Sequence, residues 1–482
     1  MEVLPQCKEP FQKVFCHHSM GRKRTPAYQA VNKCGSRGRR KVIQSSRDIP
    51  GKWRFCPAAE AVCACKAAVA ARAGDGHVHS LNSLALCRQA HCKASFMSTP
   101  NTRSWLQTLV AFDTTSRNSN LNLIEHVRDA LMAQGVQVQL FKSPDGAKSN
   151  LFATLPAQDG STQGGIVLSG HTDVVPVDGQ QWDTNPFALT ERDGKLYGRG
   201  TCDMKGFIAA GLALVPEFLA MPRSKPLHFA LSYDEEVGCV GAPIMLAQLK
   251  LQGQHLDGCI VGEPTSMQPV VAHKGINVWR CRVHGKAAHS SLTPRGSNAI
   301  EYAARLICRI RDLADAFKAN GPYDRFFDVP YTTMTTNQIR GGIAVNTLPE
   351  LCEFAYEFRN LPGIAPEGIQ QQVEAYVQQE LLPRMRQEFA DARIEFESLA
   401  GAPSFDAAEG EAISELVRAL TGDRAQRKVA YATEAGLFQQ AGVPTVVCGP
   451  GAISEAHKAN EYVDIAQLEH CEHFLRKLGQ SL

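Results

Sequence analysis

An apolar run that breaks directly into a histidine and an acid is the most constraining stretch of this chain. Ile166 to Pro176 reads IVLSGHTDVVP: Ile166 to Leu168 ends in Ser169 and Gly170, then His171 and Asp173 follow with one residue between them. On an extended chain residues i and i+2 share a face. The Asp173 carboxylate is therefore expected to reach the far ring nitrogen of His171 and fix its tautomer, as metal-binding histidines require. His171 would ligate and Asp173 would orient it. By itself, an H-x-D after a buried strand reads more readily as a solvated loop.

Four further segments change that balance. Tyr197 to Gly206 reads YGRGTCDMKG, Asp234 to Gly238 reads DEEVG, Val261 to Thr265 reads VGEPT and Ala456 to Glu461 reads AHKANE. Each places an acid or a histidine after an apolar or glycine-rich run, as at the carboxyl end of a strand. In an open α/β sheet such ends line the ligand crevice, so distant segments can converge on one place. The set so assembled has two histidines and three carboxylates, without a thiolate. That suits a pair of Zn ions, or Co or Mn, better than a closed structural Zn site. Two ions need a shared carboxylate. Asp203 is expected to bridge, with His171 and Glu263 completing one ion and Glu236 with His457 the other. Glu235 is left free for proton transfer to and from the reacting groups.

From about Met97 to Leu482 the chain resembles the di-zinc aminoacylase and glutamate carboxypeptidase family of metallohydrolases, most closely its acetylornithine deacetylases. The motifs SGHTDVVP, GRGTCDMKG, DEEVG, GEPT and HKANE carry the resemblance, in the family's order and spacing. It implies the same roles for the residues above, and a cis peptide after Asp203. It also implies an α/β fold: a mixed-sheet, di-zinc aminopeptidase-like catalytic domain with an inserted ferredoxin-like α+β domain that acts as lid and dimerisation surface.

The pattern along the chain fits that division. Residues 1–96 hold 17 of the 51 Lys and Arg, 5 of the 48 Asp and Glu, and eight of the 16 cysteines, without sustained periodicity. The Cys spacing fits no standard zinc finger, and the Arg-rich, acid-poor composition is also that of transit peptides. A translation start assigned upstream of the true one, at Met97, accounts best for the sharp change there, and the segment is expected to be disordered. Residues 97–273 and 401–482 are expected to form the catalytic domain. Strand and helix periods at 276–283, 298–317, 332–339, 351–359, 366–386 and 394–399 give the strand-helix-strand-strand-helix-strand order of a ferredoxin-like unit, so residues 274–400 should be the insertion.

Further candidates lie in and after the insertion. Alternation along Leu351 to Arg359 turns Arg359 away from the apolar face. With the family-like EFRNLPG around it, Arg359 is expected to clamp a substrate carboxylate through its planar fork, with Asn346 of GGIAVNTLPE a second candidate. His289, in GKAAHSS, matches a histidine that in relatives reaches the partner subunit's active site to stabilise the oxyanion. Glu434 in ATEAG is expected either to attract a cationic side chain or to serve as a helix-start acid favoured by the dipole. Gly449 and Gly451 are expected to offer backbone N–H groups to a carboxylate.

The resemblance implies metal-dependent removal of the acetyl group from N2-acetyl-L-ornithine, in arginine biosynthesis, as the expected activity. Succinyl-diaminopimelate desuccinylase, general aminoacylase and dipeptidase are the alternatives, and a non-enzymatic relative would be expected to lack Glu235 or a ligand. The substrate would be a small N-acyl amino acid and the assembly a homodimer through the lid. Beyond residue 96 the chain carries 34 basic against 43 acidic residues, which argues against nucleic acid. The lack of a long apolar run argues against a membrane span. Cysteines without framework spacing suit a reducing cytoplasm.

Overall fold

The structure, a computed structural model, describes residues 100–482. The expectations for residues 1–96 lie outside the described residues. A six-stranded mixed sheet forms the centre, in the order Gln137–Lys142, Ser149–Leu155, Leu227–Ser232, Ile166–His171, Gly258–Pro264, Thr445–Gly449. The first two strands are antiparallel and the last four run parallel to one another. Both faces are covered, so five of the strands are buried along their length, while the edge strand Gln137–Lys142 exposes Gln137, Gln139 and Lys142. Ile166 and Leu168 pack with helices Thr102–Ala111, Leu121–Met132, Gly206–Ala213 and Ile465–Ser481, while Val167 packs on the opposite face with Ala242–Leu251 and Ala435–Gln440.

His228, a polar side chain within this sheet, is fully buried beside Phe152. Its Nε2 lies 2.9 Å from the Gly164 carbonyl and its Nδ1 3.0 Å from Thr154 Oγ1. Burial pushes the imidazole pKa from 6.5 down to about 4. The unfolded chain therefore takes up a proton between these values that the folded chain refuses. Stability from this group is complete above pH 6.5 and is lost as pH falls towards 4, by roughly 3 kcal/mol. In urea unfolding at pH 7 and pH 4.5, His228→Gln should lose less stability on acidification than the unsubstituted protein.

A second sheet, antiparallel throughout, has the order Thr333–Gly341, Leu351–Arg359, Ile276–His284, Arg393–Ala402, the strand order of a ferredoxin-like unit. Its inner side chains, among them Cys281, Val283, Phe354, Tyr356 and Phe358, pack on helices Ala299–Asn320 and Pro366–Tyr376. The alternate residues Arg280, Arg282, Glu353 and Glu397 form ion pairs on the outer face, as a half-covered sheet requires. Asn298 caps the longer helix by accepting from Ile300 N and Glu301 N. The chain enters and leaves this unit side by side, since Ile276 pairs with Ala402 and the Gly275 N–H donates to the Asn360 carbonyl.

The helix expected over 366–386 is interrupted, and so is the one that follows Met204. The segment from Pro366 widens into a π turn at Val377–Leu381 before resuming as Leu382–Glu388, and the segment after Met204 breaks at Leu214 before Val215–Ala220. Pro383 and Pro216 explain both, because proline lacks an N–H and its ring clashes with the carbonyl four residues back. No helix among the described residues is long and apolar enough to cross a membrane.

Candidate metal centre

Strand register brings the candidate ligands together. His171 ends the central strand and is paired with Ser232, so the turn Asp234-Glu235-Glu236 emerges beside it; Glu263 lies at the end of the neighbouring strand Gly258–Pro264. Asp203 and His457 come from loops above the sheet end. The peptide between Asp203 and Met204 is cis.

Asp203 stands between the two histidines. Its Oδ1 is 2.9 Å from His171 Nε2 and its Oδ2 3.2 Å from His457 Nε2. Glu263 Oε1 lies 3.7 Å from His171 Nε2, and Glu236 Oε2 lies 3.0 Å from His457 Nε2. Donors around a tetrahedral Zn ion with bonds of about 2.0–2.1 Å stand about 3.3 Å apart, so these spacings fit one ion on each side of Asp203. A Glu235 oxygen lies within 4.8 Å of donors from His171 and Glu263, next to such an ion.

Electrostatics point the same way. Burial drives the Glu235 and Glu263 carboxyls well above the usual range, with neighbouring carboxylates adding to it. Burial likewise raises Glu236, with Asp203 adding to the rise. Burial opposes ionisation of Asp203 too, but hydrogen bonds from His171 and His457 hold its pKa below the usual value. For His171, burial disfavours the proton, yet Asp203 and Glu263 raise its pKa well above the ordinary value; Asp203 and Glu236 push His457 up to about 11. Protons thus balance a buried cluster of acids, a task that divalent cations perform when bound.

Asp173 acts differently from the expectation. His171 Nδ1 is 3.0 Å from the Asp173 main-chain oxygen, whereas the Asp173 carboxylate is 3.7 Å away. That carboxylate accepts from Glu235 N at 3.0 Å, Glu236 N at 3.3 Å and Ser116 Oγ at 2.7 Å. The i+2 geometry brought the residue close, but the backbone carbonyl is nearer the ring, and the side chain instead fixes the turn that carries Glu235.

A cavity of about 380 Å³ opens over this cluster, lined by Asp203, Glu235, Glu236, Glu263 and His457, and by Arg359 and Tyr431. Arg359 arrives from the end of its strand in the second sheet, 3.3 Å from Glu357. Tyr431 escaped the sequence reading as a site residue, although it begins the YATEAG stretch. Burial, and then Glu263 and Asp203, raise its phenol pKa.

The remaining candidates only partly stand where they were expected. Glu434 does not line the cavity, where a cationic side chain would meet it; it stands at the start of helix Ala435–Gln440, the alternative expectation, buried with Ser169 Oγ donating to its Oε2 at 3.2 Å. Gly449 and Gly451 have no N–H free for a carboxylate, because Gly449 N donates to Thr265 Oγ1 and Gly451 N to Gln467 Oε1. Close packing explains both glycines: a Cβ at Gly449 would meet the Gly262 oxygen at 2.0 Å, and one at Gly451, where φ is +86°, the Cys202 sulfur at 2.6 Å. His289, expected to serve a partner subunit, is exposed outside this subunit's cavity; Asn346, expected beside Arg359 at the substrate, is exposed outside it as well, and the two are neighbours, since Ser290 N donates to Asn346 O at 2.9 Å.

Glu461 and Arg199 were also missed, although both stood inside quoted motifs. They form a fully buried ion pair at 2.6 Å. Their sequence neighbours, Gly198 and Gly200 on one side and Asn460 and Tyr462 on the other, offered no sign that they would meet.

Comparison with known proteins agrees with this geometry. Residues 167–481 match the peptidase family M20/M25/M40. An acetylornithine deacetylase from Myxococcus xanthus is 37% identical over 386 residues, 78% of this chain and 96% of that protein. One from Proteus mirabilis (strain HI4320) is 35% identical over 372 residues, 76% of this chain and 92% of that protein. Among solved structures, a tripeptidase from Staphylococcus aureus superimposes with a TM-score of 0.61 at 20% identity, covering 79% of this chain and 97% of that one. A metallo-carboxypeptidase of the M20 family from Sulfolobus solfataricus gives 0.61 at 17% identity, covering 79% and 99%. With a matching fold, sequence and donor set, this chain is a metal-dependent hydrolase and belongs to the peptidase family M20/M25/M40.

Proposed function

We propose that the chain hydrolyses N2-acetyl-L-ornithine to ornithine and acetate, in arginine biosynthesis, with two divalent ions, Zn in the first instance. Asp203 carries this reading, because its two oxygens face different histidines. His171 and Glu263 would hold one ion with it, and His457 and Glu236 the other. Bound there, such ions polarise an acyl oxygen and lower the pKa of a water. The chain itself supplies proton transfer and positioning. Glu235 accepts the proton of the attacking water and returns it to the leaving nitrogen; its burial-raised pKa suits both directions. Asp173 holds the Glu235 and Glu236 amides, so the base and a ligand move together.

Arg359 binds the substrate carboxylate at the cavity wall. A charge-assisted hydrogen bond contributes about 1.5–3 kcal/mol, so Arg359→Ala should raise KM roughly 10- to 150-fold with metal content unchanged. Steady-state kinetics would refute the clamp if only kcat fell. His289 and Asn346, exposed side by side, suit a homodimer in which His289 of each subunit enters the other's cavity and steadies the oxyanion. The eight free cysteines among the described residues suit a reducing cytoplasm.

The substrate name rests on the acetylornithine deacetylases this chain is similar to. Turnover of acetylornithine, succinyl-diaminopimelate, acetylmethionine and a dipeptide, compared on metal-loaded protein, tests it. Preference for any of the last three would overturn the substrate while leaving the hydrolase.

A further inference from the structure

Glu461 accepts from four donors at once. Its Oε1 takes Cys202 N at 2.9 Å and Asp203 N at 3.1 Å; its Oε2 takes Gly200 N at 3.1 Å and Arg199 Nη1 at 2.6 Å. The loop before Asp203 thus wraps its amides around one carboxylate, as nests wrap anions, with Gly200 at φ +83° making the wrap possible. The contacts continue. Arg199 Nη2 donates to Gln180 Oε1 at 2.6 Å, Trp182 Nε1 donates to the same oxygen at 3.1 Å, and Gln180 Nε2 donates to the His457 carbonyl at 2.9 Å. Two donors on Oε1 settle which end of the Gln180 amide faces His457. That residue has φ +63°, an unfavoured conformation for a side-chain residue that its surroundings must hold. From His457 the chain runs four residues back to Glu461, and the circuit closes.

We propose that Glu461, Arg199 and Gln180 are positioning residues that lock the Asp203 loop to the His457 loop, so that the shared ligand and the outer histidine are presented as one preformed unit. The inference rests on the two-ion reading and assigns the ring a direction. Glu461 acts on Asp203 and thus on both ions. Gln180 holds the His457 carbonyl directly and reaches Asp203 only through Arg199 and Glu461, and thus acts chiefly on the ion shared with Glu236. None of the three side chains is itself a ligand. Substitution of such outer partners costs about 10- to 100-fold in metal affinity.

The test is metal binding by the full chain stripped of metal, measured with Zn in a competing chelator buffer, with thermal unfolding of the metal-free protein as a control. The unsubstituted protein should bind two ions. Gln180→Ala should weaken one ion about 10- to 100-fold and the other much less. Gln180→Glu, which keeps an acceptor for Arg199 but turns a second acceptor towards the His457 carbonyl, should do the same. Glu461→Gln should weaken both. If the unsubstituted protein binds fewer than two ions, the two-ion reading fails. If it binds two, and both Gln180 variants either match it or weaken both ions equally, the ring fails while that reading stands. Should Glu461→Gln unfold, the partly exposed Gln180 variants still decide.

Discussion

Replacing Glu235 by alanine should lower kcat by about 10²- to 10⁴-fold, the usual worth of a positioned general acid–base, while the bound metal stays at the level of the unsubstituted protein. Both halves follow from geometry. Glu235 stands in the cavity wall with Cys239 Sγ 3.4 Å from its Oε1, but the close histidine-to-carboxylate approaches at the two proposed ion positions run through Asp203, Glu236 and Glu263. Its neighbour Glu236 is kept in place by the backbone bond to Asp173, which the substitution leaves intact. Elemental analysis beside steady-state kinetics checks the pair of outcomes. Loss of metal would make Glu235 a ligand and leave the proton without a carrier.

His171→Ala should reverse that pattern, with metal and activity lost together. The ring is buried, 2.9 Å from Asp203 and 3.7 Å from Glu263, so its removal leaves two buried acids with no neutral ligand between them. The expected fall in affinity exceeds the roughly 10- to 100-fold seen when outer partners are lost. His457→Ala should weaken the other ion, since that ring lies 3.0 Å from Glu236 and 3.2 Å from Asp203. An unchanged ion count in either variant would move the ligands elsewhere.

The convergence of the proposed ligands was legible in the sequence because His171, Glu236 and Glu263 follow strands, and strand ends in an open sheet share one edge. The ferredoxin-like order was legible for a related reason, since periodicity separates its six elements. Local rules reached no further than local geometry. They brought Asp173 near His171 but could not choose between its carbonyl and its carboxylate, which differ by under an ångström in approach. They marked Gly449 and Gly451 as exposed backbone, where tertiary partners had already taken the N–H groups. They also missed that Glu461 closes on Arg199, a contact made only when two loops fold over the same sheet end.

The narrow attachment of the second sheet has an evolutionary corollary. Because Ile276 and Ala402 are register partners, the two crossings between the units lie one strand spacing apart, about 4.8 Å, and a short turn can join them. The insertion is thus a cassette: deleting or exchanging it need not disturb any strand that carries His171, Glu263 or the Glu235 turn. Arg359 and the His289 loop leave with it, whereas every proposed ligand stays behind. A fold built this way can keep one hydrolytic centre and acquire new substrates by trading the unit above it.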